Sequence, residues 1–174
     1  MTLRLRSAGI VALGLALALA PLLGLGCARP GPPVELASDR PLPASSAQAL
    51  SLKTTGIAWT NAEIRAHYLV LVAAIGPANE AWKREGLGAE ERAHRAFQIR
   101  HDARVTCRAM MSDPRQITLL EQRDLKKYGH PDGPRFDELV ALSRSHGLTG
   151  DAVFEAIVES AQRTNTAVNE MVGL

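Results

Sequence analysis

The sequence predicts an all-α domain carried behind an export signal and a tether. Three observations predict it. From Trp59 onward apolar residues recur at helical spacing nearly throughout, glycines and prolines punctuate the ends of those runs, and no alternating strand pattern appears after residue 60. A bundle of five to six helices over residues 59–174 is therefore expected, with enough chain to bury a core of its own.

The chain opens with Arg4 and Arg6, and Ser7 to Leu25 then carries no charge. A basic start, a short apolar run and small residues at its exit are the marks of a signal peptide over residues 1–26. A permanent membrane span needs about 20 consecutive apolar residues, and Pro21 with three glycines weakens this run for that purpose. The exit reads Leu22-Leu23-Gly24-Leu25-Gly26-Cys27. It resembles the lipobox of bacterial lipoproteins, in which a small residue precedes a cysteine that becomes lipidated and N-terminal. Gly24 departs from the pattern, since the family prefers leucine there. The resemblance implies palmitate on Cys27, a membrane contact made through that residue, and a place in the bacterial cell envelope. Ala28 rather than aspartate follows the cysteine, which in the Gram-negative sorting pattern implies the outer membrane.

Residues 27–58 read as a tether. Pro30, Pro32, Pro33, Pro41 and Pro43, half of the ten prolines, fall here among Ala, Ser and Gly. Proline favours extended chain and blocks helix, giving a semi-rigid spacer. Leu50 to Ala58 is expected to pack on the domain as an extended strap.

In the domain, Thr60 and Glu63 make a capping box, with Trp59 and Ile64 as a hydrophobic staple around it. The helix that follows places Ile64, Tyr68, Leu71, Val72 and Ile75 on one stripe, and Gly76-Pro77 kinks it or starts a second segment ending near Glu85. A long helix spans about Ala89 to Met111, with Glu90 and Glu91 in its first turn and Arg108 in its last, as the helix dipole favours. Asp113-Pro114 starts another, which Lys126-Lys127-Tyr128-Gly129 ends. The loop His130 to Gly133 leads into a helix carrying Phe136, Leu139 and Val140, closed by His146-Gly147-Leu148 in a Schellman cap. Thr149 is expected to cap the last helix, whose stripe runs Val153, Phe154, Ile157, Val158, Ala161, Val168, Met171 and Val172, with a break near Thr164.

Charge excludes one class of function. Lys and Arg total 20 against 18 Asp and Glu, a net +2, far from the excess of a nucleic-acid binder. Both surplus cations, Arg4 and Arg6, lie in the signal, so the 148 residues after it carry 18 charges of each sign. The turn from Leu139 to Ala156 has the outline of a helix-turn-helix, but Asp151, Glu155 and Glu159 on its second helix would repel phosphates, so no nucleic-acid partner is expected.

The candidate contact residues are Arg100, Arg104, Arg108 and His130. The three arginines form an i, i+4, i+8 row, opposed to Asp151, Glu155 and Glu159 on the last helix, and suit a carboxylate or phosphate. Arg100 falls between Ala93, Ala96, Phe97, Ala103 and Cys107 within the apolar sector, so pairing with an acid from another helix is expected. His130 stands in the Tyr128–Pro134 loop, the one irregular polar segment where a site is expected. His94 and His101 lie seven residues apart, too far to share a metal ion, and read as surface side chains. Cys107 lacks a partner base and reads as a small core residue. No catalytic residue, metal or cofactor is assigned. The expectation is a non-enzymatic cell-envelope lipoprotein with a binding or assembly module, with an envelope protein as one kind of partner. The alternatives are a periplasmic protein binding a small ligand or metal, and an enzyme using the region of Arg100, His94 and His101.

Overall fold

A computed structural model describes residues 40–163, and every described element is helical. Seven helices follow one another: α1 (Ser46–Thr54), α2 (Asn61–Ala73), α3 (Ile75–Arg84), α4 (Ala89–Met110), α5 (Pro114–Tyr128), α6 (Phe136–Ser145) and α7 (Asp151–Gln162). The fold is all-α. It has one helix more than the sequence periodicity suggested, and the addition is α1, inside the stretch read as tether.

That helix has local causes. Ser45 caps it by accepting from the Gln48 amide at 3.3 Å, and the Gln48 side chain accepts from the Ala44 amide at 2.7 Å. Ala49 on its inner face is fully buried, and Leu52 packs on the core beside it. The chain on either side is tied down as well: Trp59 Nε1 donates to the Pro41 carbonyl at 3.3 Å, His67 Nε2 meets the Pro43 carbonyl at 2.7 Å, and Lys53 Nζ donates to the Met111 carbonyl at 2.7 Å. The strap expected at Leu50–Ala58 thus packs on the domain with its first half helical.

The long α4 is the axle of the bundle, with α1, α2, α3 and α7 packed around it and α6 lying on α7. Helix–helix contact at this length needs small residues on the axle, and α4 supplies them: Ala93, Ala96, Ala103 and Cys107 are buried against Ile64, Tyr68, Val72, Val153, Ile157 and Val158. The Thr60–Glu63 capping box forms in both directions, and Trp59 and Ile64 lie in one buried cluster around it. Helix α2 stops at Ala73 and α3 begins at Ile75, because Pro77 has no amide to offer the Ala73 carbonyl. Asp113 caps α5 through the Arg115 amide at 2.9 Å. Gly129 ends it with φ +77°, a left-handed position that glycine enters freely. Leu148 donates to the Ser143 carbonyl at 3.3 Å and Gly147 to Arg144 at 2.9 Å, completing the Schellman turn after α6. Gly150, not Thr149, is the N-cap of α7, with φ +55° and ψ −141°, a conformation a threonine side chain resists. The break near Thr164 and the stripe residues Val168, Met171 and Val172 lie outside the described residues.

Candidate functional site

Four helices and a loop leave a cleft of about 290 Å³ where α4, the end of α5, the loop after it, α6 and the end of α7 meet. Phe97, Leu139, Leu142, Ile157 and Ala161 form its apolar wall. Arg100, Arg104, Lys127 and Arg163 supply cations, His101 and Tyr128 supply polar rings, and Asp132 is the acid in its lining. A concave, mostly apolar surface with a few convergent polar groups is the usual form of a small-molecule site.

Arg100 reaches the cleft because α4 carries it past the last turn of α7. Its Nη1 donates to the Ser160 carbonyl. That carbonyl also accepts from the C-cap amide of Arg163 at 3.3 Å, and the carbonyls of a helix's last turn carry the negative end of the helix dipole, which favours a guanidinium there. The acid partner expected for Arg100 is not found among the described residues; the α7 terminus holds it instead. The opposed acidic row explains the difference. Glu155 is taken by Arg92, whose Nη2 and Nη1 both reach its carboxylate, while Arg92 Nη1 also donates to Asn79 Oδ1 at 3.0 Å and Nε to the Leu87 carbonyl at 3.2 Å. Glu159 pairs within its own helix with Arg163. The rows do not pair arginine for acid.

Beneath Arg100 lies the phenol of Tyr68, fully buried, its Oη close enough for the Arg100 side chain to act on it though not in good hydrogen-bond geometry. Burial raises its pKa above the usual 10, and the nearby charges of Arg100 and Arg104 act against that rise.

Arg104 and Arg108 have a common anchor. Asp124 on α5, 1% exposed, accepts from Arg104 Nη1 at 3.1 Å and from Arg108 Nη2. Arg123 Nε stands 3.7 Å from its other oxygen. Arg108 Nη1 also donates to the Pro131 carbonyl, so one buried acid fixes α4, α5 and the loop together. Gly133 completes the brace. Its φ is +104°, and a Cβ there would stand 3.0 Å from Arg104 Cζ, so the loop backbone lies flat on the guanidinium.

The sequence-derived contact residues therefore divide. Arg100 and Arg104 line the cleft; Arg108 braces its floor; His130 lies beside it, with Nε2 2.9 Å from Glu138 Oε1. His94 stacks on Phe136 at 3.6 Å between ring centroids, and His101 on Phe97 at 5.9 Å, so both histidines belong to an aromatic cluster between α4 and α6. Among the described residues no three His, Cys, Asp or Glu side chains stand together as a metal site. Cys107 is buried, and burial pushes its thiol up to about 12.

Sequence reasoning missed Lys127, Leu139, Leu142, Ile157, Ser160 and Arg163 as parts of one site. The available signal was the Tyr128–Pro134 loop, which does border the cleft. The sequence carries no sign that the end of α7 closes the other side. Comparison of the chain with protein-family models, with curated proteins and with solved structures finds no match in any of the three.

Proposed function

We propose that this chain is a cell-envelope lipoprotein, anchored to the outer membrane through lipidated Cys27, whose helical module acts by binding a ligand without transforming it. The observation that supports the binding reading most is Arg100. It is a guanidinium in a concave, mostly apolar cleft, held by the Ser160 carbonyl and next to the uncharged Tyr68 phenol, with no carboxylate to neutralise it among the described residues. A positive charge in such a place attracts an anionic ligand, whose charge gains more there than it would in open water. A binding role without turnover agrees with Cys107, which is buried outside the cleft lining and kept protonated by burial. The anchor reading rests on the basic start, the apolar run and Cys27 at its exit.

Two measurements test the two halves. Radiolabelled palmitate supplied to expressing cells labels the wild-type chain and leaves Cys27→Ser unlabelled; equal labelling of both removes the anchor. A panel of small organic anions is then screened by thermal unfolding. Occupancy raises the midpoint by mass action in the wild type and not in Arg100→Gln. A panel that raises neither, or both equally, removes the cleft as the binding site.

A further inference from the structure

We propose that the ligand of the cleft is an amphipathic monocarboxylate: a small organic acid whose carboxylate meets Arg100 and whose aryl or short acyl body lies on the wall of Phe97, Leu139, Leu142 and Ile157. The proposal rests on the cleft being the binding site and adds the chemical class.

The head group follows from how the charges are spent. Arg104 is committed to buried Asp124, and Arg163 is paired with Glu159. Among the described residues Arg100 engages neutral groups: its Nη1 donates to the Ser160 carbonyl, and its side chain also acts on the Tyr68 phenol. Lys127 lies over the Tyr128 ring at 4.9 Å, which leaves Arg100 as a cleft guanidinium with no acid among the described residues, a match for one negative charge. Its planar fork also suits the planar, two-oxygen face of a carboxylate. Asp132, exposed in the cleft lining, acts against a second charge: it repels a dianion about twice as strongly as a monoanion at the same distance.

The body follows from the wall. Phe97 is already edge-on to Phe136 at 5.7 Å, and Leu139 and Leu142 extend the same surface toward solvent, with Leu142 54% exposed. An exposed leucine beside half-buried aromatic rings is apolar area that a ligand removes from water at about 25 cal/mol per Å². A bare acetate or formate would leave that wall wet. A cleft of about 290 Å³ suits a body of one ring or a short chain.

Isothermal titration calorimetry on the full lipidated chain in nanodiscs, with empty nanodiscs as the blank, tests this with four probes: 4-phenylbutyrate, 4-phenylbutanol, acetate and phenyl phosphate. The expected result is one-to-one binding of 4-phenylbutyrate, with each of the other three weaker by about tenfold or more. Arg100→Gln weakens 4-phenylbutyrate by about tenfold and brings it level with the alcohol. Because Arg100 also holds the end of α7, a second variant guards against misfolding. Leu142→Glu sits on an exposed rim, keeps the wild-type circular dichroism and unfolding midpoint, and weakens 4-phenylbutyrate by about tenfold through like charge and a wetted wall. Acetate binding as tightly as 4-phenylbutyrate overturns the apolar half of the proposal, and equal binding of the alcohol overturns the carboxylate half. Phenyl phosphate binding best replaces the monocarboxylate with a phosphomonoester and leaves the cleft as the site. Failure of every probe, together with an anion screen that finds nothing, takes the binding reading down with it.

Discussion

More charge converges on Asp124 than on any other buried side chain described. Two guanidinium groups almost out of water donate to one of its oxygens, and a third, partly exposed, stands near the other. Buried ion pairs gain little over apolar packing, yet removing one partner leaves uncompensated charge in a poor dielectric. Asp124→Ala is therefore expected to cost about 3 kcal/mol of stability, read as a fall in the urea midpoint with the slope unchanged. Asp124→Asn recovers part of that loss, since an amide oxygen still accepts from Arg104. None of this was visible in the sequence. Asp124 is one acid among 18, and its partners stand 16 and 20 residues away on another helix. The register of α5 against α4, which makes them meet, is a property of packing. Arg100 was legible to a point. Its place among alanines on α4 marked it as a charge in need of a partner, while the partner proved to be a backbone carbonyl that no residue code announces.

At the scale of elements, helix ends were read more faithfully than helix surroundings. Thr60 with Glu63, Asp113 with Pro114, Gly129, and Gly147 after His146 each form the cap their chemistry demands, because the interactions close within five residues. Helix α1 escaped notice for the converse reason. Its intrinsic pattern is weak, and tertiary contacts to buried Ala49 and to the neighbouring carbonyls of Pro41, Pro43 and Met111 hold it. The loop between α5 and α6 shows how an element can depend on one missing atom. Gly133→Ala meets both an unfavourable φ and the Arg104 guanidinium, so a loss of about 1 to 3 kcal/mol is expected, with weakened ligand binding beside it. Gly129→Ala has open space around it and suffers the φ penalty alone, about 1 kcal/mol, which chemical denaturation of the two variants side by side distinguishes.

The whole molecule responds to acid through the carboxylates that its arginines hold. The hydrogen bond from Arg92 keeps Glu155 below the ordinary 4.5, with the charge of Arg92 adding to it and partial burial opposing. Glu138 is lowered likewise, first by the Arg135 backbone amide and then by His130. A folded-state pKa below the unfolded one gives stabilisation that is complete above the unfolded value and is lost as pH falls through the folded value. The urea midpoint is expected to drop between about pH 5 and about pH 3. Glu155→Gln starts lower at neutral pH and drops less over that interval, whereas parallel curves would show that Arg92 does not act through this carboxylate. The same pair joins α4 to α7 and so holds the helix whose far end closes the cleft.

Arg100 reaches the cleft already restrained. An arginine side chain left free holds about 2 kcal/mol of rotamer entropy, which a ligand would have to suppress on binding. Here the Ser160 carbonyl has suppressed part of it beforehand. That carbonyl belongs to the backbone, so no side-chain substitution at 160 deletes it; its direction is set by the phase of α7. Each residue of an α-helix turns the next carbonyl by about 100°. One residue added to α7 ahead of Ser160 would swing the acceptor away from the guanidinium while changing no residue type along the cleft. The aim of the Arg100 guanidinium is written in the number of residues between Gly150 and Ser160, a quantity that composition and residue identity leave unspecified.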